Sequence, residues 1–518
     1  MEEQATLIAL DGLGCPGPAA TKEPVAGPKI KRIDRGQSAF VALDVENLVS
    51  ADDKVRAIWD LTGKMDFSDL LKGILSKEGS AGQAHEDPRL LVAIWVWAYS
   101  EGISSSRQIE DSMAHEPALM WLSGLRTISH ASLSNFRKDH RKELAGLFTQ
   151  LLGLLERTGA VNLDRVMHDG TKIRAQAGID TLRRERTLRE SLAKAATVVT
   201  DMEKAEAETT SRRKAARQRA ARERAERLEE AVKELEALQA EKKKEEEKKN
   251  VRVSTTEPEA RLMRHGDHAI DLSYNAQITT DAAHKVIVAA SLSKEESDAH
   301  ELIPALNVVK ENVGREPKQV VADGGYTNRA NIRMMDERGV DFIGSLGAED
   351  ERRAAAVQAS GIDPKFAPQF FILQPETRTL ECPAGKHLHY VRKNKVRGDL
   401  YHRYQAAASD CGSCPHQRLC CPKHPGRGRA VCLRVEESPD IACFRRRMQS
   451  AEAKAIYKQR GAVAEFPNAW IKERIGLRKF SLRGLVKAGI ELTWACLTYN
   501  VMIWVRLHRR ALITAPAA

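Results

Sequence analysis

The chain has 518 residues, 42% hydrophobic and 30% charged, with a formal net charge of +11 and a sequence pI of about 9.1. That length allows more than one domain around a sizeable core, and that composition is of a soluble rather than a membrane-embedded protein. The basic surplus favours a polyanionic partner, nucleic acid being the usual one.

Residues 1–39 are rich in Gly, Pro and small side chains without periodicity, so they read as a disordered N-terminus. This end is acidic and lacks a continuous apolar run, so no secretory signal is expected. From Leu43 to about Gly159 the signals are helical. Arg89–Tyr99 reads as one buried helix. Ser104–Met113 reads as a second, with Ser104, Ser105 or Ser106 as N-cap, and Ala131–His140 and Glu143–Thr158 as two more. At Leu163 the pattern changes. Val166–Ile173 is short and apolar, interrupted by Asp169-Gly170, and reads as a buried strand ending in a turn.

Residues 181–250 are a run of Arg, Lys, Glu and Ala with a partial apolar stripe at Leu228, Val232, Leu235 and Leu238. This predicts a helical hairpin or coiled coil, read as a solvated charged face before a DNA clamp. Tyr274–Thr279 and Val286–Ser291 read as antiparallel neighbours. A helix is expected over Ala299–Val313, and strands over Lys318–Ala322 and Asp341–Ser345. Helices dominate from Ala451 to Arg510. The apolar stretches Leu90–Tyr99 and Leu492–Val505 are shorter than the roughly 20 residues a membrane span needs, so both are expected as buried helices.

Two Asp-Gly pairs, Asp169-Gly170 and Asp323-Gly324, stand at the ends of predicted buried strands. Asp-Gly alone is a common turn dipeptide. Carboxylates from separate elements are also what divalent cations need for phosphodiester chemistry, because magnesium prefers oxygen ligands.

His168-Asp-Gly-Thr-Lys-Ile-Arg-Ala and Val320-Val-Ala-Asp-Gly-Gly-Tyr resemble the two aspartate motifs of insertion-sequence DDE transposases. The stretch from Tyr457 to Lys472 resembles their Tyr-Arg-Glu-Lys signature, with Tyr457, Arg460, Glu465 and Lys472 as matches. Its Arg-to-Glu spacing is one residue longer than in the commonest form. Gly476–Leu485, then Tyr499-Asn500, is similar to the group called eleven-eighty-two, as is the helical stretch Asp87–Leu155.

The resemblance implies an α/β, ribonuclease-H-like catalytic core over 161–510, interrupted by the charged helical insertion at 181–250 and a Cys-containing insertion at 346–450, with a tail at 511–518. An all-helical N-terminal domain at 40–160 would bind DNA. Asp169, Asp323 and Glu465 would be catalytic and hold Mg2+ or Mn2+, as two ions. Glu491 is a rival third carboxylate, with Arg483 or Lys487 as its partner. Tyr457, Arg460 and Lys472 would contact DNA, as would Asn135, Arg137 and Lys138 in the helical domain. The implied partners are the element's terminal inverted repeats and target DNA, bound by a homodimer in the bacterial cytoplasm, at the nucleoid. His168 reads as structural, and Asp298 with His300 as a helix cap.

Most of the nine cysteines fall between Cys382 and Cys443. Cys382, Cys411, Cys414 and Cys420 form a Cys…Cys-x-x-Cys…Cys pattern that suits one structural Zn2+. Cys421 is an alternative fourth ligand, His416 and His424 are lesser substitutes, and free cysteines in an irregular insertion are the plain reading. Arg392, Lys393, Lys395, Arg397 and Arg403 around it suit phosphate contacts.

Overall fold

The computed structural model describes residues 42–74, 76, 84–204, 212–345, 347–374, 376–396, 399–423, 426–434 and 439–514. The expected disordered segment 1–39 therefore lies outside the described residues. Val45–Ala518 form one compact unit.

Seven helices open it: α1 (Lys54–Thr62), α2 (Ser68–Lys72), α3 (Pro88–Ser100), α4 (Ser106–Ser112), α5 (Pro117–Ser123), α6 (His130–Asp139) and α7 (Arg141–Arg157). Their starts follow local chemistry. Asp53, Asp87, Ser105 and Ser129 each cap a helix through the side chain, and Pro88 stands in the first turn of α3. Nearly every α3 side chain is buried, because α3 packs between α1 and the last helix of the chain, α19 (Leu485–Thr514). Trp95 donates to the Leu133 carbonyl at 3.1 Å, and Trp494 to that of Arg137 at 3.2 Å. The helices and the sheet thus share one hydrophobic core. No described helix is long and apolar enough to cross a membrane.

The main sheet contains β1 (Val166–Arg174), β4 (Arg261–Arg264), β5 (Ile270–Asp281), β6 (Ile287–Ser293), β7 (Gln319–Ala322) and β8 (Asp341–Ile343). Strands β6 and β4 share one side of β5, and the order continues β5-β1-β7-β8. The β1, β5 and β6 neighbours are antiparallel, whereas β7 and β8 run parallel to β1. Parallel neighbours need crossovers. These are α11 (Leu302–Val313) between β6 and β7, and α12 (Arg329–Glu337) between β7 and β8. Asn500 on α19 accepts from the Ile287 amide at 2.9 Å and donates to its carbonyl at 2.7 Å, which fixes α19 to β6.

One expectation is corrected here. β1 does not end at Asp169-Gly170 but continues through them to Arg174, paired with β5 along its length.

The charged insertion is an antiparallel pair, α8 (Glu185–Lys204) and α9 (Arg212–Ala240), followed by α10 (Glu245–Asn250). Arg189 meets Glu236, and Arg222 meets Glu203. Leu188, Leu228, Val232 and Leu235 form its small core. The short strands β2 (Leu182–Arg183) and β3 (Val253–Ser254) pair at its base.

The second insertion begins with α13 (Ala348–Ala359). Its centre is an antiparallel sheet that the sequence reading did not anticipate: β9 (Ile372–Gln374), β10 (Thr379–Glu381), β11 (His387–Val396), β12 (Asp399–Ala406) and β13 (Ala430–Arg434), paired in the order β13-β12-β11-β10-β9. Helices α14 (Ala408–Gly412) and α15 (Gln417–Cys420) lie between β12 and β13. The chain then returns through α16 (Pro439–Met448), α17 (Ala451–Lys458) and α18 (Phe466–Glu473) to α19.

Candidate functional site: a carboxylate cleft on the main sheet

The register of two parallel strands places the two motif aspartates. On β1 and β7, Met167 faces Val321 and His168 faces Ala322, so Asp169 and Asp323 are the next residues along neighbouring strands. Side chains alternate across a sheet, which puts Asp169 on the same face as Met167. That face is covered by α17 and the segment after it: Met167, Val321, Ala453, Ile456, Val463 and Ala464 form one apolar cluster. The same packing brings Arg460 and Glu465 to the aspartates. The Arg460 guanidinium stands 3.6 Å from Asp169 and 3.8 Å from Glu465.

Residues Gly461–Glu465 form a π-helical turn. Such a turn inserts one residue into an α-helix and is frequent at functional sites. It takes up the extra residue of the Arg-to-Glu spacing, so both side chains still meet the cleft. Beyond it, Glu465, Asn468 and Lys472 fall at helical spacing. Asn468 donates to Asp169 Oδ2 at 3.1 Å, a contact the sequence reading missed although the three-residue step from Glu465 carried the signal. Lys472 is half-buried, and burial, with the charges of Arg478 and Arg174, lowers its pKa. The Tyr457 hydroxyl hydrogen-bonds Arg460, and burial raises its pKa.

Burial raises the pKa of Asp169 to about 6; Arg460 opposes the rise, and Asp323 and Glu465 add to it. The cleft thus holds more negative charge than Arg460 neutralises, and its donors are hard oxygens suited to magnesium or manganese. Arg460 stands between two of the carboxylates, and among the described residues no three His, Cys, Asp or Glu side chains close on one point. Asp169 and Arg460 are mostly covered, whereas the Glu465 side chain is 64% exposed.

Beneath the aspartates lies a layer of hydrogen-bonded polar groups. His168 is fully buried between Thr279 and Gln277, both 2.9 Å away, and burial lowers its pKa to about 4. The Tyr326 hydroxyl donates to Gln277 at 2.6 Å. Asp298 accepts from Asn275 at 2.7 Å and from Gln277 at 3.1 Å. This corrects the capping expectation for Asp298, because Ser297 is the residue that caps there. It also explains the glycine after Asp169. A Cβ on Gly170 would lie 2.5 Å from the Tyr326 hydroxyl and 2.9 Å from Asp298 Oδ1, so this glycine answers a close approach rather than a turn. After Asp323 the turn is real, with the Gly325 amide donating to its carboxylate at 2.8 Å.

Glu491 is placed elsewhere. It is buried and accepts from the Ser481 amide and hydroxyl and from the Leu482 amide, at 2.8–3.0 Å. These groups, rather than Arg483 or Lys487, are its hydrogen-bond partners. Arg137 also departs from expectation. It is 6% exposed, donates to the Ser104 carbonyl at 2.7 Å and lies over the Trp95 ring. Its guanidinium joins the helices to the Ser481 loop at 3.3 Å, which removes it from a DNA-facing surface. Asn135 is exposed and Lys138 half-exposed on the same helix.

Two family models match the chain. A transposase DDE domain matches residues 381–504, and a transposase domain (DUF772) matches residues 43–139. No curated protein matches. Among solved structures, the chain aligns with the piggyBac transposase of a synaptic complex with hairpin DNA, studied by cryo-EM. It is 9% identical over 92% of this chain and 82% of that one, at a TM-score of 0.22, too low to define a shared fold. The first family match contains Tyr457, Arg460, Glu465 and Lys472, and the second contains the opening helices through α6, so both matched segments are similar to transposase domains.

Proposed function

We propose that the protein is a DNA transposase that cleaves the ends of a mobile element and joins them to target DNA by metal-dependent phosphoryl transfer. The observation that carries this reading is the register of β1 and β7, which makes Asp169 and Asp323 neighbours on the face that receives Arg460 and Glu465. The strand order β6-β5-β1-β7-β8, antiparallel on one side of β1 and parallel on the other, supports a ribonuclease-H-like core.

Asp169, Asp323 and Glu465 would hold Mg2+ or Mn2+, two ions in all. Such cations, when bound, supply Lewis acidity to the attacking and leaving oxygens of a phosphodiester. Asn468 orients the Asp169 carboxylate, as outer partners of metal ligands do. Arg460, which donates to the Tyr457 hydroxyl, and half-buried Lys472 offer cations to DNA phosphates. Asn135 and Lys138 on α6 offer a polar and a basic contact to the terminal inverted repeats. Two ends and one target call for at least a dimer on DNA.

The test uses purified protein, Mg2+ and labelled DNA carrying the inverted repeats that flank the gene. Nicked ends and joined products are expected. Asp169→Asn and Asp323→Asn should each reduce both by more than about 100-fold, the scale already lost when groups supporting a metal ligand are removed, while gel-shift binding persists. Normal cleavage by either variant would overturn the reading. Cleavage without joining would make the protein a nuclease.

A further inference from the structure

The second insertion brings five cysteines to one small cavity. Cys382, Cys411, Cys414, Cys420 and Cys421 line a space of about 20 Å³, together with Phe366, Leu388 and Arg429. That is the room of roughly one water-sized atom. The five reach it from separate places. Cys382 follows β10, Cys411 is on α14, Cys414 just beyond it, Cys420 ends α15 and Cys421 follows. All are free thiols.

Two of the sulfurs accept hydrogen bonds from backbone amides. The Lys386 amide donates to Cys382 Sγ at 3.3 Å, in a turn closed by Gly385 at φ +74°. The Arg429 amide donates to Cys411 Sγ, also at 3.3 Å. Hydrogen bonds of this kind from outside a metal site orient its ligands. Cys421 shares thiol hydrogen bonds with Cys411 and Cys420.

We propose that this cavity binds one structural zinc ion through Cys382, Cys411, Cys414 and Cys420. Four sulfur ligands in tetrahedral array make a closed structural site, and a soft donor set selects zinc over magnesium. The thiols are not drawn together to ligating distances here, so binding would pull α14 and α15 onto the sheet. Among the described residues the buried core of the sheet is six side chains: Phe371, Leu380, Leu388, Tyr404, Ala406 and Val431. A core that small is the usual setting for a structural metal. The zinc would fix the β11–β12 ribbon, which carries Arg392, Lys393, Lys395 and Arg403, as a rigid basic surface beside the cleft-bearing fold.

The experiment uses the full-length chain purified under reducing conditions. Elemental analysis should give about one zinc per chain. Replacement by Co2+ should produce the intense thiolate-to-metal absorption of a four-sulfur site. Cys414→Ser and Cys420→Ser should each lose the metal, whereas Cys421→Ser should retain it. Limited proteolysis separates metal loss from global unfolding: cuts should concentrate in residues 372–434 while the remainder stays resistant. A full-length, reduced, folded chain that contains no zinc and gives no cobalt–thiolate band would overturn the proposal. Metal loss in Cys421→Ser but not in Cys420→Ser would overturn the choice of fourth ligand.

Discussion

The carboxylate cleft and the cysteine-lined insertion are assembled over very different distances along the chain. Asp169, Asp323 and Arg460 come from elements separated by well over a hundred residues each, and only the sheet register and the docking of α17 and α18 unite them. The five cysteines fall within Cys382–Cys421 and meet through local turns. The strands that carry the cleft are embedded in a core that runs from Val49 to Val505, whereas the insertion's sheet has, among the described residues, a cluster of six buried side chains. A site carried by a large shared core can tolerate the burial of a carboxylate, which is the main cause of the raised pKa of Asp169, with the neighbouring Asp323 and Glu465 charges adding to it. A site on a small sheet must instead stabilise the sheet.

The largest expected effect separates the two regions outright. A zinc chelator should leave the 45–345 region resistant to protease and expose the insertion to rapid cutting. Simultaneous loss of both would contradict independent stabilisation. Next, Gly170→Ala drives a Cβ into the Tyr326 hydroxyl and Asp298. It should destabilise the protein by about 1–3 kcal/mol, the usual penalty of overpacking, measured by urea denaturation, without altering zinc content. An unchanged midpoint would mean that the polar layer yields easily. Asn468→Ala should weaken Mn2+ binding by about 10–100-fold in a titration followed by electron paramagnetic resonance, with a smaller change in stability. Unaltered affinity would remove Asn468 from the cleft's supporting role.

The smallest effect is a pH dependence. The pKa of Asp169 is raised from 3.8 to about 6. In cation-free protein its contribution to stability is present below about pH 4 and is lost as pH rises through 6, because ionisation is then penalised in the folded state. Mn2+ affinity should change oppositely, falling as pH drops below about 6, where protons compete for the carboxylate. Asp169→Asn should flatten both dependences, and an unchanged pH profile in that variant would assign the titration to another group.

Much of the architecture was legible because it is written locally. The cap Ser105, the apolar run of α3 and the strand ending at Ala322 all carry short-range signals. What escaped depends on neighbours distant in sequence. Asp169-Gly170 has the chemistry of a turn, yet pairing with β5 keeps it in a strand, and the glycine serves Tyr326 and Asp298 packed against it. Arg137 has the look of a phosphate contact, but Trp95, Ser104 and Ser481 enclose it. Strands β11 and β12 were missed because their exposed, charged faces show no apolar alternation. The different placements of Glu465 and Glu491, one beside Arg460 and the other on the Ser481 loop, were likewise not legible in sequence, because they depend on partners brought in by the fold.

The central claim is that Asp323 lies in a metal-dependent phosphoryl-transfer site, and its most direct test is a change of ligand softness. Asp323→Cys replaces a hard oxygen by a thiolate, which favours softer cations than magnesium. DNA-end cleavage by this variant should be lost in Mg2+ and restored, at least in part, in Mn2+, with DNA binding intact in both. Cleavage in Mg2+ at the wild-type rate would show that Asp323 holds no cation and would contradict the account.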